Sequence, residues 1–396
     1  MKHRTLKDLK DVKGKRILVR VDFNVPVDEK GNVTEDSRIR KALPTIKHLL
    51  DKGAKLILMS HYGRPEGQVL DDFRLNPAVS TLEKLLGKKI RKLDECTGGF
   101  VQKVVKEMKD GDVVLLENTR FHPGEEGNHP DFAKELASLG EIYVNDGFGV
   151  IHKAHASVSG ITQHLPSYMG LLVENELKYL THLMEEPKRP YTIVMGGAKI
   201  KDKIGLIKNL MKKADYILIG GGIANTFLAA QGFDVGQSLC EKDKIQVAQE
   251  ILIAAEKLKV EIILPSDVVV ATLPSDNAVT MDIPVEDVEG DMKIFDIGSK
   301  TTEKYKKILE KSKTIFWNGP MGLYEYKPFG KGTKEIAAAI AKNKGTTVIG
   351  GGDSVDALKR FKFDEKHFSH ISTGGGASLS FLEGKELPGV KALIEK

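Results

Sequence analysis

The feature that most constrains this chain is a recurring unit. A short unbroken run of β-favouring apolar residues is closed by Gly, Asn, Asp or Ser and followed by a helical stretch. The runs Ile17–Val21, Leu56–Met59, Val113–Leu116 and Ile142–Val144 form one series. Thr192–Met195, Tyr216–Ile219, Ile262–Leu264, Thr314–Trp317, Thr346–Ile349 and His370–Ser372 form a second. Strands alternating with helices specify an α/β fold. Runs that are continuous rather than alternating belong to strands buried on both faces, as in parallel sheets. A length of 396 residues with 41% apolar content supplies two hydrophobic cores rather than one. The expected architecture is two doubly wound parallel-sheet (Rossmann-like) domains joined by a connecting helix.

The connector is expected where the two series part. Leu165-Pro166-Ser167-Tyr168-Met169-Gly170 precedes a helical pattern of Leu171, Leu172, Leu177, Leu180, Leu183 and Met184, and Pro187 and Pro190 follow. Prolines bracket one helix. The alternative is one large sheet with an extra helix. A formal charge of +5 over this length announces neither a nucleic-acid nor a membrane partner. Cys96 and Cys240 have no metal or disulfide spacing, which suits a reducing, cytoplasmic compartment. The basic start, with Lys2, His3, Arg4, Lys7 and Lys10, lacks the apolar stretch of a signal peptide, and no run reaches the length of a membrane span.

Ligands of open parallel sheets bind beyond the carboxyl ends of strands. In the first half these positions hold polar residues. Arg20, Asp22 and Asn24 alternate at the end of the first run, which reads either as a binding edge or as a local ion pair with an Asn turn. Arg38 falls in the first turn of a helix starting near Asp36 or Ser37, where a cation opposes the helix dipole; exposure to solvent would make it harmless. His61 and Arg64 follow the second run, Arg120 a third, and Lys153 a fourth. Gathered at one edge, these cations would hold a small, multiply anionic ligand. His152 and His155 lack a carboxylate or cysteine at ligand spacing, so metal ligation there is not expected.

In the second half the strand ends are rich in glycine, at Gly196-Gly197, Gly220-Gly221-Gly222, Gly350-Gly351-Gly352 and Gly374-Gly375-Gly376. Amides brought close together before helices suit phosphate. Neither a P-loop nor a G-x-G-x-x-G fingerprint is present. Lys199 and Lys203 would share one face of a helix, as a site or as a solvated basic face. Asp353 reads as a helix N-cap or as a carboxylate for a nucleotide's Mg²⁺. Trp317 with Glu325 would give an apolar wall and a carboxylate for ribose hydroxyls, although alone Trp317 would be core.

Read together, Arg20-Val21-Asp22-Phe23-Asn24-Val25-Pro26, Ser60-His61-Tyr62-Gly63-Arg64-Pro65, Gly196-Gly197-Ala198-Lys199, Trp317-Asn318-Gly319-Pro320-Met321-Gly322, Gly350-Gly351-Gly352-Asp353-Ser354 and Ser372-Thr373-Gly374-Gly375-Gly376-Ala377-Ser378 resemble the phosphoglycerate kinase family along the whole chain. The resemblance implies a glycolytic phosphotransferase with a carboxyl acceptor. It would move a phosphoryl group reversibly between 1,3-bisphosphoglycerate and ADP, giving 3-phosphoglycerate and ATP, by direct in-line transfer with domain closure. A non-catalytic binding protein closing on a phosphorylated small molecule is the alternative. Residues 1–170, with a tail of about 382–396, would bind 3-phosphoglycerate through Asp22, Asn24, Arg38, His61, Arg64, Arg120 and Lys153. Residues 171–186 would form the connecting helix. Residues 187–381 would bind nucleotide through Gly197, Lys203, Gly221, Gly298, Asn318, Pro320, Glu325 and a loop of Gly352, Asp353, Ser354 and Val355, with Asp353 on Mg²⁺. Arg38, Lys199, Lys203 and Gly375 would be catalytic. A cytoplasmic monomer without nucleic-acid or membrane partners is expected. The family's usual Asn-Asp-Ala-Phe-Gly-Thr-Ala-His-Arg-Ala-His departs here at Gly147, Val150, Ile151 and Lys153, and lysine cannot supply arginine's bidentate contact.

Overall fold

The computed structural model describes residues 3–394, so Lys2 of the basic start and the last two residues of the expected tail lie outside the described residues. The chain divides into two compact units, Met1–Lys178 with Glu386–Lys396, and Tyr179–Lys385. The division falls within the helix Leu171–Met184.

The first unit is built on β1 (Arg16–Arg20), β2 (Lys55–Met59), β3 (Arg91–Lys92), β4 (Val113–Leu115), β5 (Ile142–Asn145) and β6 (Ser167–Met169), in the order β3-β4-β2-β1-β5-β6. All five ladders are parallel. Ile17, Leu18 and Val19 of the central β1 are fully buried, as a strand covered on both faces requires. The helix Ser37–Asp51 turns Ile39, Ala42, Ile46 and Leu49 into the same core, with Leu43 and Leu50 partly buried beside them. Ser167–Met169 adds a short strand beside β5; its three residues, followed by Gly170, are too few to show a strand pattern in the sequence.

The second unit contains β7 (Tyr191–Met195), β8 (Tyr216–Ile219), β9 (Glu261–Ile263), β10 (Asp267–Ala271), β11 (Met281–Pro284), β12 (Lys293–Ile297), β13 (Thr314–Asn318), β14 (Thr346–Gly350) and β15 (His370–Ile371). Six of them form a parallel sheet in the order β15-β14-β13-β7-β8-β9. The antiparallel sheet β11-β10-β12 is not anticipated from the sequence: residues 268–271 of β10 are a continuous apolar run, but its partners β11 and β12 are short and interrupted by Asp282 and Asp296. It has its own small core of Val268, Val270, Val285 and Val288 with Leu228 and Val235.

Among the carboxyl groups buried in the two units, Asp146 and Asp296 are held in the framework by backbone N–H groups. Asp146, just beyond β5, accepts the Leu172 N–H at 2.9 Å at the start of the helix Leu171–Met184. Asp296 of β12 accepts Ile297 N–H at 2.9 Å and Gly332 N–H at 2.8 Å, the latter in the first turn of the helix Lys331–Lys342. Burial outweighs these hydrogen bonds and pushes Asp146 up to about 7 and Asp296 up to about 8, from an ordinary 3.8. Between the ordinary and raised values the folded protein holds protons that the unfolded chain has released, so stability falls as pH rises through this window and levels off above it. Asp296→Asn is expected to flatten the decline in unfolding free energy between about pH 5 and about pH 8 by about 2–4 kcal/mol. Denaturant titrations at the two pH values check this, and identical slopes for parent and variant would mean that Asp296 is ionised throughout.

Candidate functional site

Both parallel sheets change winding direction at their centres. In the first unit the chain proceeds from β1 outward through β2 and returns to β5 on the other side, so the crevice lies beyond Arg20 and Asn145. Arg20 is fully buried; its Nε donates to Ser157 Oγ at 2.8 Å, its Nη1 to Val21 O, and its Nη2 lies 3.3 Å from His61 Nδ1. Arg38, half-exposed, donates from Nη1 to Asp22 Oδ2 at 3.0 Å and to Asn24 O at 3.1 Å. Asp22 is thus paired with Arg38 of the helix rather than with Arg20 of its own segment, and this pairing offsets the cost of a guanidinium in the first turn of a helix. Asn24 Oδ1 accepts Gly63 N–H at 3.0 Å, tying the β1 loop to the β2 loop. Gly63 has φ +60°, and a β-carbon there would lie 2.2 Å from Phe73 Cδ1, so no larger residue fits this turn.

Arg120 is buried in the turn Thr119–Phe121, with Nη1 on Gly63 O at 2.8 Å and Nε 3.1 Å from Glu126 Oε1. The fully buried Asn118, whose role the sequence does not disclose, aligns this group. Its Oδ1 accepts Tyr62 N–H at 3.1 Å and Arg120 N–H at 3.0 Å, and its Nδ2 donates to Tyr62 O at 2.7 Å. Arg64 and Lys153 are exposed. Lys153 follows the turn Phe148–Val150, its N–H bonded to Val150 O at 2.9 Å. Gly147 packs closely against Val150 and Arg20: a β-carbon there would meet Val150 Cγ2 at 3.3 Å and Arg20 O at 3.4 Å. Burial, reinforced by the surrounding guanidinium groups, lowers His61 well below its ordinary value and His155 to about 4. Both imidazoles are neutral near pH 7, and the permanent positive charge belongs to the arginines.

In the second unit the winding reverses between β7 and β13. Their ends cross backbone to backbone, with Gly196 N–H on Asn318 O at 2.9 Å and Gly197 N–H on Pro320 O at 2.9 Å. A β-carbon at Gly196 would lie 2.0 Å from Pro320 O, so this approach requires glycine. Beside it opens a cavity of about 370 Å³ lined by Gly197, Gly221, Pro320, Glu325 and Asp353, with Leu239, Ile297 and Leu323 among its apolar walls. Its size and mixture of backbone, apolar wall and few polar groups suit a nucleotide-sized ligand.

Several expectations are corrected here. Lys199 and Lys203 do not share a helical face, because the 3-10 turn Ile200–Asp202 separates them and Lys199 is extended and exposed. Lys203 instead reaches Asn318 Oδ1; burial lowers its pKa, an effect opposed by Asp353 and Asp202. Gly352 to Val355 are not a loop but the first turn of the helix Gly352–Arg360. Gly351, with φ +90°, occupies the N-cap position, so Asp353 is not the cap. Ser354 is buried and accepts Gly319 N–H at 2.7 Å, while Val355 packs on the core. Trp317 is a fully buried β13 residue bonded to Gly319 O at 2.7 Å and is not part of this cavity's wall, since continuous apolar strands are covered on both faces. Gly298 starts the helix Ser299–Lys311 and faces the carboxylates of Asp267 and Asp282 rather than the cavity. Gly375, with φ +49°, precedes the short helix Gly376–Leu382.

A family model described as phosphoglycerate kinase matches residues 6–385. A curated phosphoglycerate kinase of Dictyoglomus turgidum is 51% identical over 399 residues, covering 100% of both chains. The solved structure of phosphoglycerate kinase from Coxiella burnetii superposes with a TM-score of 0.91 at 38% identity, over 99% of each chain. That of phosphoglycerate kinase from Pyrococcus horikoshii OT3 gives 0.85 at 32% identity, over 98% of each.

The glycine crossing generates a test that needs no ligand. Gly196→Ala is expected to destabilise the second unit by about 2–4 kcal/mol, because the methyl group can only displace backbone. Thermal unfolding within about 1 °C of the parent would show that the β7 and β13 ends separate freely.

Proposed function

Because the chain belongs to the phosphoglycerate kinase family and is a glycolytic kinase moving a phosphoryl group between 1,3-bisphosphoglycerate and ADP, we propose that its two halves divide the substrates. Residues 1–170 with the C-terminal tail hold the acid, residues 187–381 hold the nucleotide, and residues 171–186 connect them. The observation that carries this reading is the contrast between the two sheet ends: buried and half-buried guanidinium groups at one, glycine amides around a cavity at the other.

Asp22, Asn24, Arg38, His61, Arg64, Arg120 and Lys153 bind 3-phosphoglycerate. The arginines supply charge, and neutral His61 supplies a hydrogen-bond donor. The carboxylate that attacks ATP is ionised at pH 7, so no general base is required. Gly197, Gly221, Pro320 and Glu325 bind the nucleotide around the cavity, with Gly352 next to the cavity-lining Asp353. Lys203, Asn318, Ser354 and Val355 act at its border, and Gly298, turned away from it toward Asp267 and Asp282, contributes by fixing the backbone after Ile297. Arg38, Lys199, Lys203 and the amide of Gly375 stabilise charge on the transferring phosphoryl group, which in a loose transition state is the main catalytic requirement.

Magnesium is held by Asp353. This carboxylate is exposed, faces the cavity and is close enough to influence Lys203. Among the described residues no cluster of three His, Cys, Asp or Glu side chains could hold a metal ion. A single carboxylate fits an ion whose other ligands are phosphate oxygens and water. When bound, the ion supplies neutralisation of phosphate charge. The protein is a cytoplasmic monomer acting on these small molecules without nucleic acid or membrane; no helix among the described residues is long and apolar enough to cross a membrane.

A coupled assay with ATP, Mg²⁺ and 3-phosphoglycerate tests the reading, and failure of folded protein to produce ADP would leave the non-catalytic alternative. Arg38→Ala is expected to lower kcat by about 100-fold with a smaller rise in KM. Asp353→Asn is expected to raise the magnesium concentration for half-maximal rate and leave KM for 3-phosphoglycerate within about twofold. Lys153→Arg is expected to lower that KM through a bidentate grip, whereas parent-like constants for both Lys153→Arg and Lys153→Ala would place Lys153 in solvent.

A further inference from the structure

We infer that Glu125 is a positioning residue for the anion site: through Ser157 it orients Arg20, and Arg20 fixes His61 as the Nε2–H tautomer. The inference rests on assigning the first unit's cation cluster to the acid substrate. Glu125 lies outside every motif that suggests this function, yet its carboxylate is completely buried. Removing a carboxylate from water is unfavourable unless its oxygens are paired, and these are. Oε2 accepts Ser157 N–H at 2.9 Å. Oε1 accepts the Ser157 hydroxyl at 2.5 Å and the Thr119 hydroxyl at 3.2 Å.

Because Ser157 donates its only hydroxyl hydrogen to Glu125, its oxygen is left to accept. The donor is Arg20 Nε at 2.8 Å, and Tyr143 OH, bonded to Ser157 O at 2.8 Å, holds the residue from the other side. The chain of contacts thus runs from carboxylate to hydroxyl to guanidinium, all three fully buried. It provides a partner of opposite charge one hydroxyl away from Arg20 without occupying the guanidinium edge that meets His61.

At that edge Arg20 Nη2 lies 3.3 Å from His61 Nδ1. An arginine nitrogen has only hydrogens to offer, so His61 Nδ1 must accept, and the neutral ring carries its hydrogen on Nε2. The groups facing His61 from the surrounding elements are Arg20 from β1, Asp22 beyond it with Oδ1 at 4.0 Å, Arg38 from the first helix, Arg120 from the turn after β4, and His155 from the loop after β5. The cations among them oppose protonation of the ring. His61 is thereby a fixed hydrogen-bond donor for an anion, while Glu125 prevents Arg20 from swinging toward the same anion.

Long-range ¹H–¹⁵N spectra of ¹⁵N-histidine-labelled native protein, with His61 assigned by its loss in His61→Asn, are expected to show a neutral Nε2–H tautomer from about pH 5.5 to about pH 8. Ser157→Ala and Glu125→Gln are expected to give a mixture of tautomers and to raise KM for 3-phosphoglycerate about tenfold, leaving KM for ATP within about twofold. A Nδ1–H tautomer in the native protein overturns the inference and requires no variant to fold. It is also overturned if the variants lower the melting temperature while tautomer and KM stay at parental values, because Glu125 is then purely structural. A conserved Nε2–H signal that 3-phosphoglycerate fails to move would overturn the acid-site assignment instead, and with it the role of the relay in binding.

Discussion

Each unit depends on one central junction of parallel strands. A buried strand must pair its backbone groups on both sides, so β1 lies between β2 and β5, and β7 between β8 and β13. When successive crossovers leave the central strand in opposite directions, the helices diverge and a crevice opens beyond the strand ends. Arg20 and Asn145 sit at one such opening, Gly196 and Gly319 at the other. The remaining site residues reach these places because they follow strands running the same way.

The two openings solve different problems. At the first, guanidinium groups are gathered where water is scarce, and their mutual repulsion is offset by carboxylates placed to the side: Asp22 for Arg38, Glu126 for Arg120, and Glu125 through Ser157 for Arg20. The imidazoles His61 and His155 remain neutral for the same reason, which divides labour between fixed charge and hydrogen-bond donation. At the second opening, side chains would obstruct. Glycines let the β7 and β13 ends approach to hydrogen-bonding distance, and the cavity wall is correspondingly rich in backbone.

The sequence by itself determined the α/β class, the two series of strands and the positions just beyond them, because continuous apolar runs and Gly or Asn punctuation are local properties. It also exposed Asp22, Asn24, His61 and Arg120 as polar residues at strand ends and Arg38 as a cation in the first turn of a helix, and the order of its long motifs was specific enough to indicate the family. Tertiary structure alone decided which of two locally reasonable meanings each residue has. Trp317 became core and Asp353 left the cap position to Gly351, since packing and backbone φ outweigh residue preference there. Lys199 and Lys203 were parted by a 3-10 turn that charge spacing cannot reveal. Asn118, Glu125 and Ser157 were silent in the sequence because their work is done across large separations: Ser157 is 137 residues from Arg20 and 32 from Glu125. A local pattern records which face of an element is buried; only the folded chain records which distant polar atom meets it there, and burial without water is what makes that meeting obligatory.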